Sequence, residues 1–132
     1  MISLKKTIKV VAAIIENENN EILCALRAPN MSLPNHWEFP GGKVKEGESL
    51  FDAIEREIQE ELSCKVKADI VFAENTHEYE KIIVNLIGIK CSLIKEFPTP
   101  NEHSKLIYLK KENLSSLVWA PADIPIVKEI MK

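Results

Sequence analysis

Residues 49–62, "SLFDAIEREIQEEL", constrain the fold of this chain more than any other segment. They contain no Gly or Pro, and apolar side chains recur at intervals of three and four residues, which is typical of an amphipathic helix. Ser49 is a suitable N-cap, and Asp52 lies in the first turn, where the helix dipole favours an anion. The segment predicts one well-defined helix whose apolar side must be covered by another layer of structure.

Strand-like segments surround this helix. Residues 8–15, "IKVVAAII", are nearly all apolar and are typical of a strand covered on both faces. After a polar turn, residues 21–27, "EILCALR", predict a returning strand. Further strands are predicted at about 65–74, 81–94 and 105–110.

The segment at 120–132, "APADIPIVKEIMK", predicts a closing helix, with Asp123 as its N-cap and Pro125 in its first turn. Strands before and after a strong central helix favour an α/β fold with a mixed β-sheet between helical layers. A length of 132 residues predicts a single domain over residues 1–132.

Charge and hydropathy exclude several classes of protein. The net charge is −3, whereas binding to nucleic acid or to a membrane surface favours a basic patch. No apolar run approaches the ~20 residues that span a bilayer. Lys5, Lys6 and Lys9 precede an apolar run at 10–15, but that run is too short for a signal peptide, so we interpret it as part of a strand.

The three cysteines, Cys24, Cys64 and Cys91, are widely spaced and form no CxxC pair. That pattern argues against a zinc site or a disulfide framework. It predicts reduced, mostly buried thiols in a cytoplasmic protein.

Three glutamates lie along one border of the apolar stripe when the 49–62 helix is drawn at about 100° per residue. They are Glu57, Glu60 and Glu61, and Glu61 falls on the side that should face the sheet. Half-buried carboxylates are costly unless a cation neutralises them. Oxygen ligands of this kind suit Mg²⁺ or Mn²⁺. An acidic helix face in solvent is the alternative, and the helix by itself does not distinguish the two.

The preceding irregular segment, residues 28–48, is long for a connection inside a small domain, and such connections are usually functional. From its Gly42 onward the sequence resembles the Nudix box: Gly, five residues, Glu, seven residues, then Arg-Glu-aliphatic-x-Glu-Glu. The matching residues are Gly42, Glu48, Arg56, Glu57, Ile58, Glu60 and Glu61. Because so many charged positions match in register, the chain is identified as a member of the Nudix hydrolase family, with the Nudix-type α/β/α sandwich that this implies.

Two positions depart from the pattern. Ser63 stands where the family has Gly, and Cys64 stands where it has an aliphatic residue. The family glycine ends the helix in a left-handed conformation, and serine there costs roughly 1 kcal/mol of local strain. The change alters a helix cap and leaves the carboxylates in place.

Weaker similarity outside the box points to the MutT-like nucleoside triphosphate pyrophosphohydrolases. "NNEIL" followed by Arg27, then "WEFPGGKV", Glu102 and "APADIP" occur in the same order as in that group. "WEFPGGKVKEGES" and "APADIP" are most similar to the branch that acts on cytidine nucleotides.

The resemblance implies hydrolysis of a small nucleoside triphosphate to the monophosphate and pyrophosphate, in nucleotide-pool sanitation. It implies that Glu57, Glu60 and Glu61 hold Mg²⁺ with the backbone carbonyl of Gly41, and that Glu102 is a further candidate ligand. Either Glu57 or Glu102 would activate the attacking water, and the sequence does not choose between them. A solvated loop residue is the alternative for Glu102.

Arg56 is predicted to pair with Glu48 and so fix the glutamates in place, which is a structural role within the catalytic set. Gly41 and Gly42 would let the backbone approach a metal–phosphate complex closely. Arg27 matches a phosphate-binding arginine of the family, with an exposed strand-end arginine as the alternative. Lys43 is a weaker candidate for the same role.

Base recognition is predicted at Asp123, where oxidised-guanine-cleaning members of the family have asparagine. An ionised Asp123 only accepts hydrogen bonds, which suits the amino group of cytosine, whereas a protonated one could also donate and serve a purine. Trp37, Phe39 and Tyr79 are candidates for stacking on the base, with core packing as their alternative. Cytidine nucleotides (CTP, dCTP, 5-methyl-dCTP) and an oxidised purine (8-oxo-dGTP) are the competing substrates.

A catalytically silent Nudix-fold nucleotide-binding or regulatory module is the second hypothesis. Such proteins typically lose charged positions of the box, whereas this chain has every carboxylate of the motif. The sequence therefore favours an enzyme.

Overall fold

Residues 4–132 are described by the structure, a computed structural model. Their strands and α-helices are β1 (Lys6–Ile15), β2 (Glu21–Leu26), β3 (Trp37–Glu38), β4 (Gly41–Lys43), α1 (Leu50–Leu62), β5 (Lys65–Glu78), β6 (Ile82–Lys95), β7 (Lys105–Lys110) and α2 (Ile124–Ile130). Short 3₁₀ helices occupy Lys111–Ser116 and Pro121–Asp123. Each strand and helix expected from the sequence has a counterpart within a few residues of its predicted bounds.

The strands form two sheets. One is mixed, with the order β4-β1-β6-β5, in which β1 runs parallel to β6 and the other neighbours are antiparallel. The second is antiparallel, with the order β3-β2-β7. The predicted mixed sheet is confirmed, and the returning strand β2 belongs to the separate antiparallel sheet.

Strand β1 separates two hydrophobic clusters because its side chains alternate between its faces. Val11, Ala13 and Ile15 pack in the cluster that includes the apolar side of α1. Ala12 and Ile14 pack in the cluster that includes α2. The two helices therefore lie on opposite faces of the mixed sheet, which confirms the α/β/α layering and the burial of this strand on both sides.

The apolar side of α1 is mostly as predicted. Its buried residues are Ala53, Ile54, Ile58 and Leu62. Phe51, an apolar residue of the same helix, is 37% exposed. It lies in the first turn of α1, where Ala53 and Ile54 occupy the buried side instead.

Both ends of α1 follow from its sequence. The Ser49 hydroxyl accepts a hydrogen bond from the backbone N–H of Asp52 at 3.1 Å, as expected of an N-cap. Ser63 is left-handed, with φ 51° and ψ 35°, and its N–H donates to the carbonyl of Gln59. Serine thus adopts the conformation that the family glycine would adopt.

Two short strands within the irregular segment were not predicted. β3 pairs with β2 (Leu26↔Trp37), and β4 pairs with β1 (Val11↔Gly42). Both are too short to show a period in the sequence, and both form because longer strands offer them partners. β5 also extends to Glu78, beyond the predicted end, as the antiparallel partner of β6.

Asp123 lies at the predicted N-cap position of α2, but the predicted capping contact of its side chain is wrong. Its backbone is helical (φ −84°, ψ −21°), and its side chain makes no capping hydrogen bond to α2. The carboxylate instead accepts a hydrogen bond from the backbone N–H of Phe39, 84 positions earlier in the chain, at 3.0 Å. A long-range contact has replaced the local one.

The three cysteines are buried free thiols, as predicted. Burial raises the pKa of Cys24 and Cys91 to about 12 and that of Cys64 to about 11, so they are protonated and unreactive at neutral pH. Within residues 4–132, no helix has the length and apolar character needed to cross a membrane.

Candidate active site

The three glutamates of α1, here called the glutamate row (Glu57, Glu60 and Glu61), are organised by Arg56. Its guanidinium makes two hydrogen bonds to Glu48, at 2.7 and 2.9 Å, so the predicted ion pair is present. The same group binds Glu57 at 2.8 Å and Glu60 at 3.2 Å. It also donates to the backbone carbonyl of Lys43 at 3.0 Å. Arg56 therefore ties the loop, β4 and the glutamate row together.

The two glycines of β4 lie close to their neighbours for different reasons. A side chain at Gly41 would collide with the backbone carbonyl of Val11, in the adjacent strand. A side chain at Gly42 would instead occupy the position of the Glu57 carboxylate. Gly42 thus lets Glu57 lie directly against the loop backbone, as a site requiring close approach needs.

Glu61 is turned inward, as predicted. Its Oε2 atom is buried and has no hydrogen-bond partner among the described residues. Burial raises the pKa of Glu61 to about 7; the charges of Glu57, Glu38 and Glu102 add to the effect, and His103 opposes it. A buried carboxylate oxygen without a partner is costly, and a cation would relieve that cost.

No preformed cage of three or more His, Cys, Asp or Glu side chains occurs within residues 4–132. In the glutamate row, two of the carboxylates face the Arg56 guanidinium. The donor set itself is all carboxylate and carbonyl oxygen, which is the chemistry that Mg²⁺ prefers. The row therefore fits a divalent cation by composition and by the unpartnered oxygen of Glu61.

The fourth acidic candidate, Glu102, is exposed in the segment between β6 and β7. Its neighbour His103 is buried, and Nε2 of His103 lies 2.7 Å from Glu38. Burial lowers the pKa of His103, but the bond to Glu38 and the charges of Glu38 and Glu61 outweigh that effect and raise it overall. The imidazole thus joins the Glu102 segment to β3.

A cavity of about 440 Å³, here called the Asp123 cavity, opens beside β1, β3 and the 120–123 turn. It is lined by Val10, Arg27, Ser32, Leu33, Glu38, Tyr79, Glu80, Lys81, Ile82, Val84, Leu86, Ala120, Ala122 and Asp123. This size and mainly apolar lining are typical of sites for small organic ligands. Of the five predicted substrate-binding residues, Arg27, Tyr79 and Asp123 line it.

Asp123 is 5% exposed at the wall of this cavity. Burial and the charge of Glu38 raise its pKa well above the usual range, although the Phe39 N–H and the charge of Arg27 act in the opposite direction. Beside it, the Tyr79 hydroxyl accepts a hydrogen bond from the backbone N–H of Ala122 at 3.0 Å. Tyr79 thereby fixes the turn that carries Asp123.

Arg27 is held by protein groups at the rim of the cavity. Its guanidinium binds Glu38 at 2.7 Å and the Ser32 hydroxyl at 2.9 Å, and it also donates to the Ser32 carbonyl. These bonds use three of the five N–H donors that an arginine has, so at most two are available to a phosphate.

Phe39 and Lys43 lie outside the cavity lining. The Phe39 ring is 3% exposed and packs against Trp119, with ring centroids 4.8 Å apart. Core packing is thus what the geometry shows for Phe39, and only its backbone N–H reaches toward the cavity, through Asp123. Trp37 likewise packs against the α2-side cluster. Lys43 is exposed on β4.

Sequence reasoning missed Glu38 and His103. Glu38 lines the cavity and binds both Arg27 and His103. An acidic residue between two aromatic residues, in "WEF", was the available signal for Glu38. His103 follows the candidate Glu102 directly, but nothing local indicated that its ring would be buried.

The comparisons with known proteins agree with this geometry. The NUDIX domain family matches residues 6–128 of the chain. The chain is 34% identical over 126 residues to the CTP pyrophosphohydrolase of Escherichia coli (strain K12), covering 96% of this chain and 93% of that protein. It is 38% identical over 127 residues to the 8-oxo-dGTP diphosphatase of the same organism, covering 96% and 98%.

Solved structures give the same result. The solution structure of a MutT protein of the Nudix hydrolase family from methicillin-resistant Staphylococcus aureus 252 superposes with a TM-score of 0.78 at 49% identity, covering 97% of this chain and 98% of that one. The family match spans nearly the whole chain, and the two curated relatives are named as enzymes. This chain belongs to the NUDIX family and is a Nudix hydrolase.

Proposed function

We propose that the protein hydrolyses a nucleoside or deoxynucleoside triphosphate to the monophosphate and pyrophosphate, with Mg²⁺ as its cofactor and Mn²⁺ as a possible substitute. The observation that carries this proposal is the buried, unpartnered carboxylate oxygen of Glu61 in line with Glu57 and Glu60. A cation would stabilise such a row, and hydrolysis of a triphosphate depends mainly on positioning and on neutralisation of charge.

Glu57, Glu60 and Glu61 are the residues that would hold the metal, with the Gly41 carbonyl and Glu102 as further ligands. A bound divalent cation supplies charge neutralisation at the phosphates and lowers the pKa of water. Arg56 acts through the row by keeping two of its carboxylates on one side of α1. Either Glu57 or Glu102 accepts the proton of the attacking water.

The Asp123 cavity is the proposed site of the base and sugar. Its apolar residues, such as Val84 and Leu86, offer a surface for a planar base, and Tyr79 is the aromatic side chain in its lining. Arg27, already oriented by Glu38, is the proposed phosphate-binding residue at the rim. Lys43 is retained as a second phosphate-binding candidate on β4.

Cytidine nucleotides and 8-oxo-dGTP remain the proposed substrates, in nucleotide-pool sanitation. The curated relatives named above act on one or the other. The raised pKa of Asp123 favours a neutral carboxyl, whose hydroxyl can donate to the base while also accepting a hydrogen bond. A neutral carboxyl suits the amino and ring-nitrogen edge of cytosine as well as a purine edge.

A nucleotide panel tests this function. CTP, dCTP, 5-methyl-dCTP, dGTP and 8-oxo-dGTP would each be incubated with the protein and Mg²⁺, and the products separated by liquid chromatography. We expect monophosphate and pyrophosphate from a preferred substrate, no turnover after chelation of the metal, and recovery with Mn²⁺. Release of orthophosphate would contradict the proposed bond, and Glu61→Gln is the matched inactive control.

A further inference from the structure

The segment between β6 and β7 closes the C-terminal end of α1. The last carbonyls of a helix lack partners inside the helix and must find them elsewhere. Here the Thr99 N–H donates to the Leu62 carbonyl at 2.8 Å, and the Asn101 N–H donates to the Glu61 carbonyl at 3.1 Å. The segment therefore takes over part of the cap of this helix.

The side chain of Asn101 makes two more contacts at this end. Its amide nitrogen donates to the Glu60 carbonyl at 2.9 Å and to the Ser63 hydroxyl at 2.8 Å. Through its backbone and side chain together, Asn101 binds the carbonyls of two residues of the glutamate row. It is also the immediate neighbour of Glu102.

The other side of Glu102 is anchored independently. His103 is 6% exposed and bound to Glu38 at 2.7 Å, and the Ser104 N–H donates to the Leu26 carbonyl at 2.9 Å. Glu102 directly follows Asn101, whose backbone N–H lies 3.1 Å from the Glu61 carbonyl, so Glu102 lies beside the C-terminal end of α1. Glu102 thus lies between Asn101, which is bound to α1, and His103, which is bound to the antiparallel sheet.

We propose that Asn101 is a positioning residue that holds Glu102 beside the glutamate row by binding the Glu60 and Glu61 carbonyls and the Ser63 hydroxyl. The proposal rests on the function proposed above, because it assigns Asn101 to the placement of a residue used in that reaction. It also accounts for serine at position 63. The hydroxyl that replaces the family glycine is the group that Asn101 binds.

A double-mutant cycle on activity tests the connection to Glu102. The variants are Asn101→Ala, Glu102→Gln and the double substitution, with exposed Asn19→Ala in the β1–β2 turn as the matched control. Asn101→Ala should lower kcat by about 10- to 100-fold, as loss of a supporting partner does, with KM changed far less. In the Glu102→Gln background it should add no further loss. A full additional loss in that background, or an unchanged kcat in Asn101→Ala, would overturn the proposal.

A second measurement needs no turnover. Mn²⁺ alone, added to ¹⁵N-labelled protein, broadens the amide resonances of residues near it. We expect broadening at Glu60, Glu61 and Glu102 in the wild-type protein, and loss of the Glu102 effect alone in Asn101→Ala. Equal broadening of Glu102 in both proteins would refute the positioning role. If the nucleotide panel shows no turnover but this pattern is found, the proposed function fails while the positioning role stands.

Measurements of Tm distinguish a positioning role of Asn101 from a general loss of stability in the Asn101→Ala protein. Ser63→Gly removes left-handed strain but also removes the hydroxyl that Asn101 binds. It should therefore raise Tm more in the Asn101→Ala background than in the wild type, where the two effects offset each other. The Ser63→Gly/Asn101→Ala protein should recover Tm without recovering kcat. Recovery of both would show that Asn101→Ala acts only through stability, against the proposal.

Discussion

The glutamate row and the Asp123 cavity place their acidic groups in different surroundings. In the row, Arg56 pairs with Glu57, Glu60 and the loop residue Glu48. These three glutamates all lie within 8 residues of Arg56 in the sequence. In the cavity, Asp123 is nearly inaccessible, and burial raises the pKa of its carboxyl well above the usual range, which favours the neutral form.

That difference corresponds to two kinds of chemistry. A row of carboxylates beside one guanidinium is suited to a divalent cation, which can in turn bind phosphate. A neutral carboxyl in an apolar wall is suited to hydrogen bonding with a base, where discrimination depends on donors and acceptors. Changes in the row should therefore affect turnover, and changes in the cavity should affect affinity and selectivity.

The largest effect is expected from the row itself. Glu57→Gln and Glu61→Gln should each lower kcat by about 10²- to 10⁴-fold, because each removes a charge used for the metal or the water. Tm without metal should change little in Glu61→Gln, since an amide replaces a carboxyl that burial already favours as neutral. Initial rates and thermal melts measure both. If the Glu61→Gln protein retained most of its turnover, the glutamate row would not have the proposed catalytic role.

Arg56→Ala should lower activity by roughly 10- to 100-fold, as loss of an orienting partner does. Its bonds to Glu48 hold the pKa of that carboxyl at about 2. Because a lowered pKa in the folded state stabilises the protein above the unfolded value near 4.5, the wild type loses this contribution as pH falls toward 2. Arg56→Ala should lack that part of the acid dependence. Unchanged metal affinity and turnover would contradict the bracing role.

Substitutions at the two glycines of β4 should have different effects, one on activity and the other on stability. Gly42→Ala places a methyl group on the Glu57 carboxylate, the mobile end of a side chain, so we expect roughly tenfold lower kcat with a nearly unchanged Tm. Gly41→Ala instead meets the backbone of β1 and should lower Tm strongly. Circular dichroism melts beside initial rates would separate the two outcomes. Full activity in Gly42→Ala would mean that the position of Glu57 is not critical.

The buried carboxyl of Asp123 should make the stability of the protein depend on pH. The folded pKa of Asp123 is raised above its ordinary 3.8, so above about pH 4 the folded state keeps a proton that the unfolded state releases. Stability therefore falls as pH rises from that value toward the folded pKa, by at most about 1.4 kcal/mol per pH unit. Asp123→Asn, a neutral isostere, should remove this slope in denaturant titrations. An identical slope in both proteins would argue against a neutral carboxyl.

The smallest effect is expected at Ser63. Ser63→Gly relieves a left-handed serine but loses the bond from Asn101. These opposite changes are each about 1 kcal/mol, so the free energy of unfolding should change by less than that. Denaturant unfolding of the single variant measures the balance. A gain well above this value would mean that the Asn101 bond contributes little.

The sequence predicted the parts of the molecule whose partners are near in the chain. The helix at 49–62, its Ser49 cap and the Arg56–Glu48 pair all follow from spacings of a few residues. The inward direction of Glu61 followed from helical periodicity alone. Two strands, at 8–15 and 105–110, were also predicted because their apolar residues are nearly continuous in the sequence.

Errors occurred where a distant partner decided the outcome. Asp123 is a residue type that commonly caps helices, yet its carboxylate accepts a hydrogen bond from the Phe39 N–H instead. Phe39 was a candidate for stacking on the base with core packing as its alternative, and its ring is packed on Trp119. Glu38 carried no periodic signal, and its importance appears only when Arg27 and His103 meet it from two other segments.

The amino-acid sequence alone thus determined the α/β architecture and the row of carboxylates, because helical and strand periods and the spacing of the Nudix box are local properties. The tertiary structure decided which oxygen of the row is buried without a partner, where the 99–103 segment is anchored, and which side chains line the Asp123 cavity. Burial and long-range hydrogen bonds exist only after the sheets and helices have packed together, so these features cannot be derived from neighbouring residues.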